Sequence, residues 1–167
     1  MDASPSQMAA SNAKGALWGY RLLRWALGAT FLVAGATKLL RPDEFAIVIQ
    51  AFGLLPDAWT EPVALLLPTI EVLAALGLIF DVQGSLEAIA GLLASFLLLL
   101  GYGLWLGLDV DCGCFGPHDP EGLAYAGIRP AFYRDWLLLA GVAGLYGLRK
   151  TRGFAPLGWR SMAVFKS

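Results

Sequence analysis

Apolar residues along this chain gather into long blocks separated by short polar segments, rather than being spread thinly over amphipathic faces. The blocks run over about 22–40, 62–80, 88–108 and 131–148. Each approaches the roughly 20 residues that a helix needs to cross the hydrocarbon core of a bilayer. The third block carries no charge. The second carries Glu71 alone, the first Arg24 and Lys38, and the fourth Arg134 and Asp135. Between the first two blocks, Pro42 to Leu55 is too short to span. Asp43 and Glu44 follow Pro42 in what would be a first helical turn, and Phe45, Val48, Ile49 and Phe52 share one face. That spacing predicts a short amphipathic helix at the interface, ended by Gly53 and Pro56. Asp81-Val82-Gln83-Gly84 predicts a tight turn, and Tyr133 and Trp136 stand where interfacial aromatics are expected.

The expected fold is therefore an all-α membrane protein: a bundle of four transmembrane helices, with a short amphipathic interfacial helix between helices 1 and 2. Residues 1–15, polar and small, are expected as a disordered tail, 16–150 as the four-helix domain and 151–167 as a basic tail. A competing possibility for the first block is a secretory signal, with basic residues, a short apolar run and then Ala34-Gly35-Ala36 as a cleavage site. The long leading region and the return of Leu39 and Leu40 favour a retained span.

Composition sharpens this picture. Hydrophobic residues make up 57% and charged residues 15% of the 167 residues, against about 25% charge in a soluble domain. Of the twelve Lys and Arg residues, Lys14, Arg21 and Arg24 precede or open the first span. Arg149, Lys150, Arg152, Arg160 and Lys166 follow the fourth. Four spans put both ends on one side, and the excess of basic residues makes that side the cytoplasm. The segment Asp109 to Pro130 would then face the periplasm, with the chain in a bacterial inner membrane. Basic residues at the two ends, without a basic face, exclude a nucleic-acid binder.

The residues with chemistry to offer are few. Asp111-Cys112-Gly113-Cys114-Phe115-Gly116-Pro117-His118 directly follows the third span and holds the chain's two cysteines. On the outward side these thiols meet an oxidising compartment. A disulfide between Cys112 and Cys114 would close almost no loop, so it would add little as a staple, and a strained ring of that kind exchanges readily. That is the profile of a redox pair. Two cysteines that act only as small hydrophobes and happen to be adjacent are the simpler alternative. A soft-metal site of Cys112, Cys114 and His118, with Asp111 or Asp119 as fourth ligand, is another. Asp109 and Asp111 disfavour a thiolate, so activation would require Arg129, Arg134 or a helix end. Glu71 at the middle of the second span must be neutral or paired, since a lone carboxylate there costs about 2.5–3.5 kcal/mol. Lys38, Arg134 and Asp135 are its candidate partners, in a polar cluster beneath the cysteine segment. Such a cluster would act as a helix-locking ion pair or as a proton- or quinone-handling site.

Phe31-Leu32-Val33-Ala34-Gly35-Ala36-Thr37-Lys38, then Pro42, Phe45 and Leu54-Leu55-Pro56, resembles the opening of the DoxX-like membrane proteins. Leu67-Pro68 with Glu71 and Gly77 continues the likeness. Cys112-Gly113-Cys114-Phe115-Gly116, with Arg134-Asp135, is similar to the MauE branch, the methylamine-utilisation membrane proteins. The resemblance covers about Arg21 to Leu148. It implies a four-helix fold and a role in redox maturation of exported proteins, beside a periplasmic thioredoxin-like partner and a disulfide-rich dehydrogenase subunit as client. It carries over Cys112 and Cys114 as the redox pair, and Lys38, Glu71, Arg134 and Asp135 as the family's polar positions. The expected function is that of a membrane thiol–disulfide oxidoreductase exchanging electrons with a membrane acceptor, for which a quinone is the candidate. The chain has no flavin, haem or nucleotide motif of its own. Metal handling through Cys112, Cys114 and His118, and a non-catalytic anchor subunit for a redox partner, are the alternatives.

Overall fold

A computed structural model describes residues 5–107 and 127–153, with side chains described from Lys14 onward apart from Arg152. Among the described residues the chain is all helical. Its elements are α1 (Pro5–Leu40), α2 (Pro42–Ala51), α3 (Asp57–Ile79), α4 (Ser85–Leu106) and α5 (Ile128–Arg152). Cys112, Cys114 and His118, with Asp109, Asp111 and Asp119, lie outside the described residues.

Helices α1, α3 and α4 are long and apolar enough to cross a membrane. Helix α5, at 25 residues, is about 37 Å long and matches a bilayer in length, but its charged residues keep it outside that group. Helix α1 begins at Pro5, so residues 5–15 are helical where a disordered tail is expected. Gln7, Met8, Ala9, Ala10, Ala13 and Lys14 explain the difference, being strong helix formers.

The buried positions of each helix recur at alternating steps of three and four. In α5 they are Ile128, Ala131, Asp135, Val142 and Leu145, with half-buried Leu138 and Arg149 filling the same register. In α3 they are Ala64, Pro68, Glu71, Ala75 and Leu78, and in α1 Tyr20, Leu27, Phe31 and Lys38. This is the seam expected of helices packed at a shallow angle, with side chains of one filling the gaps of the next. Its centre is apolar, with Leu78, Leu86, Ile89, Leu93 and Leu145 enclosed completely. The opposite faces of α3 and α4 carry exposed Leu65, Leu66, Leu73, Leu98 and Trp105, as suits helices whose surroundings are lipid.

The most extensive helix contact is α1 against α3. It is close because Gly28 and Gly35 face α3 without side chains. A Cβ on Gly35 would lie 2.9 Å from Val72 Cγ2 and 3.1 Å from the Pro68 carbonyl oxygen. Helix α2 packs Phe45 and Ala46 against Ala64 of α3, as the amphipathic spacing predicts. The turn from α3 to α4 closes with the Val82 N–H on the Gly77 carbonyl at 2.8 Å and the Asp81 N–H on the Leu78 carbonyl at 3.0 Å. These two bonds place Asp81 where glycine normally ends a helix, and Asp81 accordingly takes a left-handed φ of 57°.

Candidate functional site

Two polar clusters interrupt the apolar seam, one towards each end of the bundle. The first gathers on Asp81. Its carboxylate accepts the Tyr20 hydroxyl at 2.8 Å and pairs with Arg24 at 2.6 Å and with Arg149 at 2.9 Å. Arg149 Nε also donates to the Tyr20 hydroxyl oxygen at 3.1 Å, and the Arg24 guanidinium lies 5.6 Å from the Tyr20 ring centre. One acidic residue thus clasps the middle of α1, the α3–α4 turn and the end of α5. Sequence reasoning missed this clasp. The signal was available: Tyr20 and Arg24 fall in the same register as Leu27, Phe31 and Lys38, and Arg149 falls in that of Val142 and Leu145. A charge in a seam position requires a buried counter-charge, and a turn aspartate was the nearest candidate.

The second cluster contains the four polar residues expected from the sequence. Lys38, near the end of α1, donates to both carboxylate oxygens of Glu71 at 2.8 and 3.0 Å. Their side chains are 3% and 1% exposed, so both charges are removed from solvent and lipid together. The Lys38 ammonium also lies 5.2 Å from the Phe45 ring centre and 4.7 Å from that of Phe96, within cation–π range. Lys38 is therefore enclosed by a carboxylate and two aromatic rings, contributed by α3, α2 and α4. On α5, Arg134 donates to Asp135 at 3.0 and 3.2 Å, and the Asp135 residue is buried. Among the candidate partners for Glu71, Lys38 forms an ion pair with it. Arg134 and Asp135 form the neighbouring pair.

All four residues line one cavity of about 310 Å³. Every helix contributes to it. Phe31 comes from α1, Phe45 and Val48 from α2, Leu67 from α3, Phe96 and Leu100 from α4, and Leu138 from α5, while Phe52, Leu54 and Leu55 enter from the connector after α2. The connector is held close by the absence of a side chain on Gly103, where a Cβ would stand 2.8 Å from Phe52. Leu100 lies six residues before the end of α4, and Arg134 six after the start of α5. The cavity therefore sits roughly 9 Å inside those helix ends. The same two ends carry the segment that holds Cys112 and Cys114.

The site is thus an apolar chamber with two mutually neutralised ion pairs in its wall, enclosed on one side by an amphipathic helix. It can hold a neutral molecule with an apolar body and a few hydrogen-bonding oxygens. Among the described residues no group of three His, Cys, Asp or Glu side chains is arranged to hold a metal.

Comparison with known proteins places the chain. The family model described as "Methylamine utilisation protein MauE" matches residues 16–148. A Methylamine utilization protein MauE of Paracoccus versutus is 37% identical over 146 residues, 81% of this chain and 76% of that protein. Its namesake in Methylorubrum extorquens is 32% identical over 147 residues, covering 79% and 76% of the two chains. The Paracoccus denitrificans protein is 35% identical over 104 residues, 59% of this chain and about half (53%) of that relative's length. No solved structure matches. The family pattern extends from the start of the first apolar helix almost to the end of α5, and the chain belongs to the MauE family.

Proposed function

We propose that this protein is a membrane thiol–disulfide redox protein that exchanges electrons between exported partner proteins and an acceptor in the bilayer, through Cys112 and Cys114. The observation that carries this reading is the convergence of Lys38–Glu71 and Arg134–Asp135 on one cavity. That cavity lies beneath the helix ends that bear the chain's two cysteines. In this reading the redox pair and the polar chamber are two halves of one device, joined by the segment that links α4 to α5.

In the proposed topology α5 is the fourth span, with both termini in the cytoplasm of a bacterial inner membrane and the cysteine segment in the periplasm. Arg134 is charged but pairs with Asp135, which lowers the cost of keeping α5 in the bilayer. Residues 16–150 form the membrane domain and 151–167 a basic cytoplasmic tail. A thiolate of a periplasmic thioredoxin-like partner attacks the Cys112–Cys114 disulfide. A mixed disulfide follows, and a second partner thiolate resolves it. The partner leaves oxidised, and the Cys112/Cys114 pair is left as a dithiol. The names of the relatives point to methylamine utilisation as the setting; maturation of an exported oxidising enzyme is the task that this reading assigns.

The test is the redox state of Cys112 and Cys114 in intact cells, read by acid-quenched alkylation and mass shift. A disulfide, or a mixture that moves when respiration is blocked, is the expected result. Two reduced thiols indifferent to respiration would overturn the proposal.

A further inference from the structure

We propose that the cavity between α2 and the four long helices binds the ring of an isoprenoid quinone, with Lys38 and Arg134 directed at its carbonyl oxygens. The inference rests on the thiol–disulfide reading above and gives its membrane acceptor a place.

Four observations lead there. The first is charge. Lys38 is matched by Glu71 and Arg134 by Asp135, so the chamber wall is neutral overall. An anionic head such as a phosphate would have to displace one of the carboxylates, whereas a neutral molecule need displace nothing. The second is donor supply. An ammonium carries three N–H donors, and Glu71 accounts for two of those on Lys38. The remaining donor suits a carbonyl oxygen in a lining that is otherwise mostly apolar.

The third observation is shape and surface. At about 310 Å³ the cavity falls at the small end of the range for bound small molecules, roughly 300–1,000 Å³. That admits a single substituted ring. Phe31, Phe45, Phe52 and Phe96 supply aromatic faces around it, against which a flat ring packs in offset or edge contact. The fourth is depth. At roughly 9 Å inside the ends of α4 and α5, the chamber lies below the membrane surface, at a level a lipid-soluble molecule reaches with its tail still in the bilayer. A flavin or nicotinamide, with its charged phosphates, has no route to that depth.

The step balances without further reagents. The Cys112/Cys114 dithiol gives up two electrons and two protons and becomes a disulfide. The quinone takes up both and becomes a quinol.

The experiment uses full-length protein in lipid nanodiscs and a photoreactive azido-ubiquinone with a short alkyl tail. Labelled peptides are mapped by mass spectrometry. Labelling of Phe45–Phe52 and Phe96–Leu100, competed by excess decylubiquinone, is expected. Ala34→Phe, which fills the chamber from α1, should weaken labelling by roughly tenfold. Val48→Phe fills it from α2 and should do the same, which guards against one variant failing to fold. The paired change Cys112→Ser with Cys114→Ser should leave labelling intact. Labelling that maps elsewhere, or that oleic acid competes as well as decylubiquinone does, would overturn the quinone assignment. Thiol exchange with a partner that continues without quinone binding removes this inference and leaves the proposed function standing. Quinone binding beside an inert cysteine pair does the reverse.

Discussion

Lys38 and Glu71 stand thirty-three positions apart in sequence and meet through two hydrogen bonds of 2.8 and 3.0 Å, with neither side chain more than 3% exposed. Removing one member leaves the other charge buried without its counter-ion, which costs about 3–5 kcal/mol. Lys38→Met should therefore lower the thermal midpoint of the detergent-purified protein strongly. Adding Glu71→Leu to it should recover most of the loss. Single variants as stable as the parent would show that neither residue is ionised in the folded protein.

Asp81 holds a conformation that asparagine tolerates and glycine prefers, so its backbone and its carboxylate can be tested separately. Asp81→Asn keeps the turn but leaves Arg24 and Arg149 without their shared counter-charge, and about 2–3 kcal/mol should be lost. Tyr20→Phe removes the hydroxyl that donates to Asp81 and accepts from Arg149, and should cost about 1–2 kcal/mol. Asp81→Gly relieves the left-handed φ, yet it should still be less stable than the parent, because the clasp outweighs the strain. An Asp81→Gly protein more stable than the parent would sink this account of the turn.

Glycine replacements should split by sign. Gly35→Ala drives a methyl group against Val72 and the Pro68 carbonyl, separating α1 from α3 beside the Lys38–Glu71 pair, at about 1–3 kcal/mol. Nothing lies within 4 Å of a Cβ on Gly91, so Gly91→Ala should be neutral or gain up to about 1 kcal/mol from helix propensity. Denaturant titration of the two variants side by side checks the contrast. Equal effects would mean that the close approach of α1 to α3 is absent in the membrane.

For the cysteine pair, single replacements should trap what the pair normally releases. Cys112→Ser or Cys114→Ser, whichever leaves the attacked sulfur in place, should accumulate a higher-mass species that reductant dissolves. The parent and the double variant should not. If neither single variant forms an adduct, the thiol-exchange proposal fails, whatever the topology.

The position of the cysteine segment is open to a reporter fused after Pro120. An outward signal is expected. A cytoplasmic one would reverse the whole arrangement and remove the oxidising surroundings on which the chemistry depends.

Much of this was legible before any coordinates. Blocks of apolar residues mark spans whatever their neighbours, because the bilayer demands that every backbone group be satisfied within the segment. Single charges inside those blocks stand out for the same reason, which is why Lys38, Glu71, Arg134 and Asp135 were legible as one group. Their pairing was not. It depends on how far each helix is shifted along its axis, and a pattern of hydrophobicity fixes rotation far better than depth. The aromatic enclosure of Lys38 was hidden too, since Phe45 reads as one residue of an amphipathic face and Phe96 is one more apolar residue of an uncharged span. The Asp81 clasp was overlooked because its charges sit at the ends of the apolar blocks, where basic residues pass for topology signals and a turn aspartate passes for a turn former. Helix α1 was underestimated at its start, where helix propensity without an apolar face gives no periodic signal.

The Lys38–Glu71 pair also has a consequence for how the protein is made. Helix α1 leaves the ribosome long before α3, carrying a cation that a bilayer accepts only at a cost of several kcal/mol. Its partner follows thirty-three residues later, after α2 has been synthesised. Neither helix is a comfortable passenger alone, and each supplies what the other lacks. Insertion of the first half of the chain should therefore be a joint event, with α1 held beside the translocon until α3 arrives. A nascent chain cut short before Glu71 should leave its first helix at the membrane surface.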